Sequence, residues 1–258
     1  RDELLKDIFD NLKDKKSMIG YALIGMRRIG KTSIFLELEN KLKKCKGIIP
    51  VYFSVWDLME NTVEEFNKKC YLTIAESFKK ELSLKYKIKN LLKITGDKIN
   101  AFLKAFDVSI KIFDEIEVIV NKRDANKEEV LNLFEKVFLL PDKLADITKT
   151  KCVFFIDEFP SIMDLKIKNG RSLGENVIRK IRSINEKYKR TVLNISGSFR
   201  RSMNITALDS GSPFYRQLEV IQVKPFSVES VNLLLEKNLS RKISLDVSEK
   251  LYHLTGGI

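Results

Sequence analysis

The sequence is poor in the residues that build metal centres and disulfide frameworks. It has one histidine, His253, and three cysteines, Cys45, Cys70 and Cys152, scattered with no C-x-x-C spacing. That pattern argues against thiolate metal sites and predicts reduced, buried thiols in a cytoplasmic protein. No apolar run is long enough to span a bilayer and no signal-peptide pattern opens the chain, so no membrane association is expected. There is no internal repeat and no low-complexity segment. The 258 residues are enough for one large or two small domains with a proper core. The chain opens on Arg1 rather than Met and stops directly after Thr255-Gly256-Gly257, which reads as a fragment of a longer protein.

What is abundant is lysine. The formal net charge is +12, a balance that favours polyanions: ATP, nucleic acid or an anionic surface. The lysines are spread along every helical stretch instead of being gathered in one arm, so charge alone does not choose among these partners. High Lys and Glu together also accompany thermophily.

Gly25-Met26-Arg27-Arg28-Ile29-Gly30-Lys31-Thr32 fits G-x-x-x-x-G-K-[ST], the phosphate-binding loop. Gly25 and Gly30 let the backbone turn tightly, so that successive amides face a phosphate. The helix that follows adds its unpaired N–H groups and the positive end of its dipole, starting with Lys31, Thr32 and Ser33. Lys31 supplies a mobile charge for the β- and γ-phosphates, and the Thr32 hydroxyl is a hard ligand for Mg²⁺. Alone the pattern arises by chance in roughly one chain in a hundred of this length. Its context is the one required: the apolar run 19–24 precedes it as a buried strand, and Ile34, Phe35, Leu38 and Leu42 share one face of a following helix.

The second landmark is Val153-Phe154-Phe155-Ile156, a continuous apolar run that ends in Asp157-Glu158. Such a run suits a central parallel strand covered on both faces. Carboxylates at its C-terminal end sit where open α/β sheets bind ligands. Asp157 is placed to hold Mg²⁺ and Glu158 to deprotonate an attacking water. On the next strand, 191–196, a hydroxyl at the tip can touch the γ-phosphate or the water. Ser198 is the first choice and Ser196 the second, and a serine that merely caps the next turn is the alternative. Arg216 could serve as an arginine finger or sensor, or simply pair with a surface acid.

Between these landmarks, residues 47–56 predict the second strand, with Pro50 near its start. Thr62 opens a helix ending near Leu84, followed by a basic amphipathic segment over 86–106 that Gly96-Asp97 interrupts. That segment could bind a membrane or a partner groove; its stripe is no wider than a core-facing helix needs, which favours a helix covering the sheet. Residues 108–112 and 116–120 suggest a small β-hairpin turning near Asp114. Lys127–Leu140 predicts a helix ended by Pro141. The domain reading is therefore a nucleotide-binding core over 1–225, with 62–150 as a mostly helical insertion between strands 2 and 3, and helices from 226 to 258.

Together these stretches resemble the archaeal ATPase family, AAA-like P-loop NTPases of the signal-transducing (STAND) type. The loop Gly25–Thr32 looks like the family's G-x-R-R-x-G-K-T. Arg1-Asp2-Glu3-Leu4, Ile156-Asp157-Glu158-Phe159-Pro160, Gly197-Ser198, Ser212-Pro213-Phe214-Tyr215-Arg216 and Leu254-Thr255-Gly256-Gly257-Ile258 agree in order. The family's fourth motif usually carries a Gly between Tyr and Arg, which leaves the register of Arg216 open. The resemblance implies a three-layer α/β fold with a parallel sheet in the order 5-1-4-3-2, ATP with Mg²⁺ as cofactors, and a small helical lid beginning near 226. In that family a winged helix and a nuclease-like segment commonly follow. The expectation is thus an ATPase acting as a conformational switch or motor. The alternative is a nucleotide-gated regulator with little turnover that reaches nucleic acid or protein through a region beyond residue 258. A homo-oligomer stays open, and a small-molecule kinase is disfavoured because nothing signals an acceptor pocket.

Overall fold

The computed structural model describes residues 2–91, 111–112, 114–119, 126–198, 214 and 217–257, with the helical backbone alone for 82–91. Its centre is a five-stranded, all-parallel sheet in the order β2-β3-β4-β1-β5. The strands are β1 (Gly20–Gly25), β2 (Ile48–Ser54), β3 (Lys151–Asp157), β4 (Thr191–Ser198) and β5 (Leu218–Gln222). This is the P-loop NTPase arrangement that the family resemblance implies.

The continuous apolar run of β3 has a simple cause: it feeds two cores at once. Val153 and Phe155 face a cluster with Ile34, Phe35 and Leu38 of α2 (Lys31–Leu42) and Ile8 and Leu12 of α1 (Asp2–Lys13). Phe154 and Ile156 face the opposite cluster, built from α3 (Val63–Leu91), α4 (Lys127–Thr148) and α5 (Gly174–Asn185). A chain of rings crosses that second layer: Phe53–Phe66 at 5.0 Å, Phe66–Phe134 at 5.5 Å, Phe134–Phe138 at 5.3 Å and Phe138–Phe154 at 5.4 Å between centroids. Each such fully buried ring contributes roughly 1.5–3 kcal/mol. The helices read as an insertion between β2 and β3 therefore supply most of one face of the fold. Pro50 is tolerated because β2 is an edge strand, so its missing donor falls where no partner is needed.

Four expectations fail. Residues 111–112 and 114–119 are helical, so the hairpin near Asp114 is not formed. Ile112, Ile116 and Ile119 are buried while Val118 is 66% exposed, which is i, i+4, i+7 spacing and not alternation. Lys136 of α4 holds this segment through a 2.8 Å ion pair with Glu115. The other half of the expected hairpin, 108–110, lies outside the described residues, as does the Gly96-Asp97 break.

Pro141 does not end its helix: α4 continues to Thr148. An internal proline costs about 3 kcal/mol. Here burial of Pro141 itself with Leu144, Ala145 and Thr148 offsets that. The next residue, Asp142, accepts hydrogen bonds from the Lys189 and Arg190 amides at 3.0 and 2.7 Å. Finally, α3 runs as one helix to Leu91, past the end expected near Leu84, and β2 stops at Ser54 rather than Trp56. The Ser54 hydroxyl accepts from the Trp56 amide and turns the chain into a short 3₁₀ segment, Val55–Asp57.

After β5, Ser227 caps α6 (Val228–Leu239) by accepting from the Ser230 amide at 3.2 Å. Helix α7 (Leu245–Thr255) pairs with it through Ser248 Oγ to Asn232 at 2.8 Å. The Phe226 amide donates to the Gly257 carbonyl at 3.0 Å, closing the unit.

Candidate nucleotide-binding site

The loop that leaves β1 is held by sterics at both ends. A Cβ on Gly25 would stand 2.8 Å from the Val223 carbonyl oxygen of the strand-end next door. Gly30, just before α2, has φ 95, a left-handed conformation that disfavours other residues. Ile29 between them is buried with Ile34 and Phe35, which pins the loop to the α2 face of the sheet. Arg28 also takes a positive φ of 64.

Lys31 is only 4% exposed. Its ammonium donates to the Met26 carbonyl at 2.8 Å and the Gly25 carbonyl at 3.3 Å. Burial pulls its pKa down, and the negative charges of Glu158 and Asp157 push back against that shift. A desolvated ammonium whose acceptors are neutral carbonyls keeps its charge available for a phosphate.

Asp157, at the end of β3, is 3% exposed and is the centre of a hydroxyl cage. Thr32 Oγ1 donates to Oδ2 at 2.6 Å, Tyr52 Oη donates to the same oxygen at 2.9 Å, and Ser196 Oγ donates to Oδ1. These donors come from α2, β2 and β4, so three elements converge on one carboxylate. Burial, and then the Asp157 charge, push the Tyr52 pKa well up, so this phenol stays a donor.

Glu158 follows with φ 53 and ψ 41. A left-handed non-glycine residue costs roughly 1–2 kcal/mol. The next residues explain the bend: Pro160 lies in the first turn of a 3₁₀ segment, Phe159–Asp164, that Glu158 caps. Phe159 is buried edge-to-face against Phe214 at 5.3 Å, so the acid-pair motif and the motif containing Phe214 meet in the core.

These parts surround a cleft of about 610 Å³ lined by Arg27, Arg28, Gly30, Lys31, Thr32, Ser33, Trp56 and Glu158. A larger hollow of about 910 Å³ lies elsewhere, between α3, the C-terminal end of α2 and the start of β2. It has neither glycine loop nor acid pair, so chemistry and not size identifies the site. Gly25, Met26 and Ile29 of the motif do not line the smaller cleft, and Asp157 stands behind Thr32 without lining it. Ser198 does not line it either: it stands beside Gly25 at the tip of β4, and Ser196 is the serine that reaches Asp157. Arg216 lies outside the described residues.

Two residues escaped the sequence reading. Tyr52 carried a faint signal, a hydroxyl near the C-terminal end of an apolar strand. Trp56 carried a misleading one, because it looked like the last residue of β2.

Among the described residues no group of three or more His, Cys, Asp or Glu side chains could hold a metal. That suits Mg²⁺, which keeps waters and takes one or two protein oxygens plus phosphates. Thr32 and Asp157 offer two hard oxygens 2.6 Å apart, so the donor set fits that ion.

No family model and no curated protein matches the chain. Solved structures do. A Walker-type ATPase of Pyrococcus abyssi aligns over 100% of this chain and 63% of its own, at TM-score 0.57 and 16% identity. The ORC1 protein of Aeropyrum pernix, solved in complex with DNA, aligns over 93% of this chain and 49% of its own, at TM-score 0.57 and 11% identity. Cdc6p of Pyrobaculum aerophilum aligns over 96% and 52%, at TM-score 0.52 and 14% identity. The chain thus spans less than two thirds of each, and at these identities the likeness is one of fold.

Proposed function

We propose that this chain binds ATP with Mg²⁺ and hydrolyses it. The observation that carries the reading is the 2.6 Å hydrogen bond from Thr32 to Asp157, which joins the phosphate loop to an acid 125 residues away. Loop amides from Gly25 to Gly30 and the Lys31 ammonium take the phosphates. Thr32 and Asp157 hold the metal, which when bound neutralises charge on the outer phosphate oxygens. Glu158 accepts a proton from water as the water oxygen bonds to the γ-phosphorus. The bond from that phosphorus to the bridging oxygen breaks, and ADP leaves with the electron pair. We move the accessory hydroxyl role from Ser198 to Ser196, which touches Asp157. Arg216 keeps its sequence-based assignment as finger or sensor.

Steady-state ATPase and nucleotide-binding measurements test this. Lys31→Ala should abolish nucleotide binding. Glu158→Gln should lower turnover by about 10²–10³-fold while ATP affinity stays within a few-fold. Wild-type turnover in Glu158→Gln would remove Glu158 as the base.

A second reading is a nucleotide-gated regulator with little turnover. It is favoured by the engagement of Asp157, which already accepts from Thr32, Tyr52 and Ser196, so that a metal competes with hydroxyl donors for its oxygens. In this reading residues 226–258 begin a helical lid, and partner binding depends on nucleotide even in Glu158→Gln. The net charge of +12, together with the DNA in the ORC1 structure, makes duplex DNA the first polyanion to assay.

A further inference from the structure

Arg27 and Trp56 form a pair that the proposed hydrolysis does not use. The Arg27 guanidinium carbon lies 5.2 Å from the centre of the Trp56 ring. Both side chains are exposed, Trp56 at 56%, and both line the phosphate cleft. Trp56 is also fixed in place: its indole N–H donates to Ser161 Oγ at 3.0 Å, and its amide donates to Ser54 Oγ at 3.3 Å. Ser161 sits on the turn that Glu158 caps, so the indole is tied to the same turn as the acid pair.

The sheet order shows which end of the cleft this pair occupies. The phosphate loop follows β1, the acid pair follows β3, and Trp56 follows β2 at the edge beyond β3. A phosphate chain seated on the loop amides runs outward to Lys31, Thr32 and Asp157, which take its outer phosphates. A group beyond Asp157 and Glu158 therefore faces the last phosphate. Arg27 leaves the loop but has its guanidinium on the indole, so it carries a planar cation from the β1 side to that far end. Arg27 is also close enough to Lys31 to oppose its protonation.

Resting on the reading of this cleft as a nucleotide site, we propose that Arg27, oriented by Trp56, recognises the terminal phosphate and makes the site prefer a nucleoside triphosphate over a diphosphate. The loop amides grip the inner phosphates that ATP and ADP share, and Lys31 bridges the last two, so neither singles out the terminal group. A guanidinium at the outer end meets an anionic group that only the triphosphate places there. Trp56 is the positioning residue. Its face holds the guanidinium by cation–π attraction without neutralising it, unlike a carboxylate partner.

The test compares equilibrium binding of a non-hydrolysable ATP analogue and of ADP, each with Mg²⁺, by calorimetry. Trp56 is the single tryptophan of the chain, so fluorescence excited selectively at tryptophan reports on this pair. Arg27→Ala should weaken triphosphate binding by about 10–100-fold, the range of one or two charge-assisted contacts, and leave ADP within threefold. Arg27→Lys should recover part of the preference, because it restores charge without the planar fork. Trp56→Ala should reduce the preference and Trp56→Phe should retain more of it. The analogue, but not ADP, should shift the tryptophan emission. Equal loss of both ligands in Arg27→Ala, or an unchanged preference, overturns the proposal. So does an emission change of equal size with ADP or adenosine, which would make Trp56 a base platform. If the wild type binds neither nucleotide, both the proposal and the nucleotide-site reading fall. If it binds both and only the preference survives in Arg27→Ala, this proposal alone fails.

Discussion

Strand β3 carries a buried charge at each end, and the two ends are held in different ways. Lys151 at its start and Asp157 at its end are each 3% exposed. The Lys151 ammonium donates to one backbone carbonyl, that of Asp14, at 2.7 Å. The Asp157 carboxylate accepts from three side-chain hydroxyls on three other elements. A carbonyl partner is neutral and built into the chain, so it can only staple the segment after α1 to the sheet. Hydroxyls rotate, and they can give way to a cation. Lys151 thus has a fixed partner and Asp157 has exchangeable ones, and Asp157 stands at the C-terminal edge, where open α/β sheets place their chemistry.

The largest expected effect breaks this comparison at the acid end. Asp157→Asn keeps the shape and an acceptor oxygen but removes the charge. Mg²⁺-dependent hydrolysis should fall by at least about 100-fold, while stability from the urea midpoint falls by about 1–3 kcal/mol, the scale of a lost charged hydrogen bond. If activity survives and stability collapses, Asp157 is structural, and the two ends of β3 are alike.

How much of this was legible in the sequence follows a physical line. The loop and the acid pair were readable because each needs particular residue types at fixed spacing: Gly where backbone packs on Val223 or turns left-handed, Lys and Thr at the start of a helix, acids after a doubly buried strand. The sheet order came from the family resemblance, and the register agrees with it. The cage was not readable. Ser196 and Ser198 differ by one strand period and point to the same face of the sheet. Only the depth of β4 against β3 decides that Ser196 meets Asp157. Tyr52 and Trp56 are set by where β2 stops, and a serine cap at Ser54 fixes that end. Pro141 and the segment over 114–119 were misread because local rules lost to burial. Apart from the local Ser54 cap, the outcome rests on contacts distant in sequence.

The basic end supplies the next test. Burial lowers the Lys151 pKa to about 8, below the value near 10.4 of an unfolded lysine. Between those values the unfolded chain binds more protons than the folded one, so stability rises with pH from about 8 to about 10.4. The gain is at most about 3 kcal/mol at full relief. Lys151→Met should remove this rise, measured as the difference between mutant and wild-type urea midpoints at pH 7.5 and 10. ATPase activity should be unchanged, because the residue sits at the far end of β3 from Asp157. An identical pH slope in the mutant would mean that the buried ammonium is not what titrates.

Tyr52→Phe should give the smallest effect, and it probes the exchangeability itself. The phenol shares Oδ2 of Asp157 with Thr32, so its removal leaves that oxygen one donor and Oδ1 still paired with Ser196. A buried hydrogen bond of this kind contributes about 1 kcal/mol, more where the acceptor is charged. If the hydroxyls only stabilise the fold, Tyr52→Phe lowers the melting temperature and leaves the Mg²⁺ dependence of nucleotide binding untouched. If they hold the carboxylate in place of a cation, removing one competitor raises Mg²⁺ affinity by a few-fold as stability falls. The second outcome is expected, because Thr32 and Tyr52 occupy the same oxygen that would turn to the metal. Calorimetric titration of Mg²⁺ into the nucleotide complex separates the two.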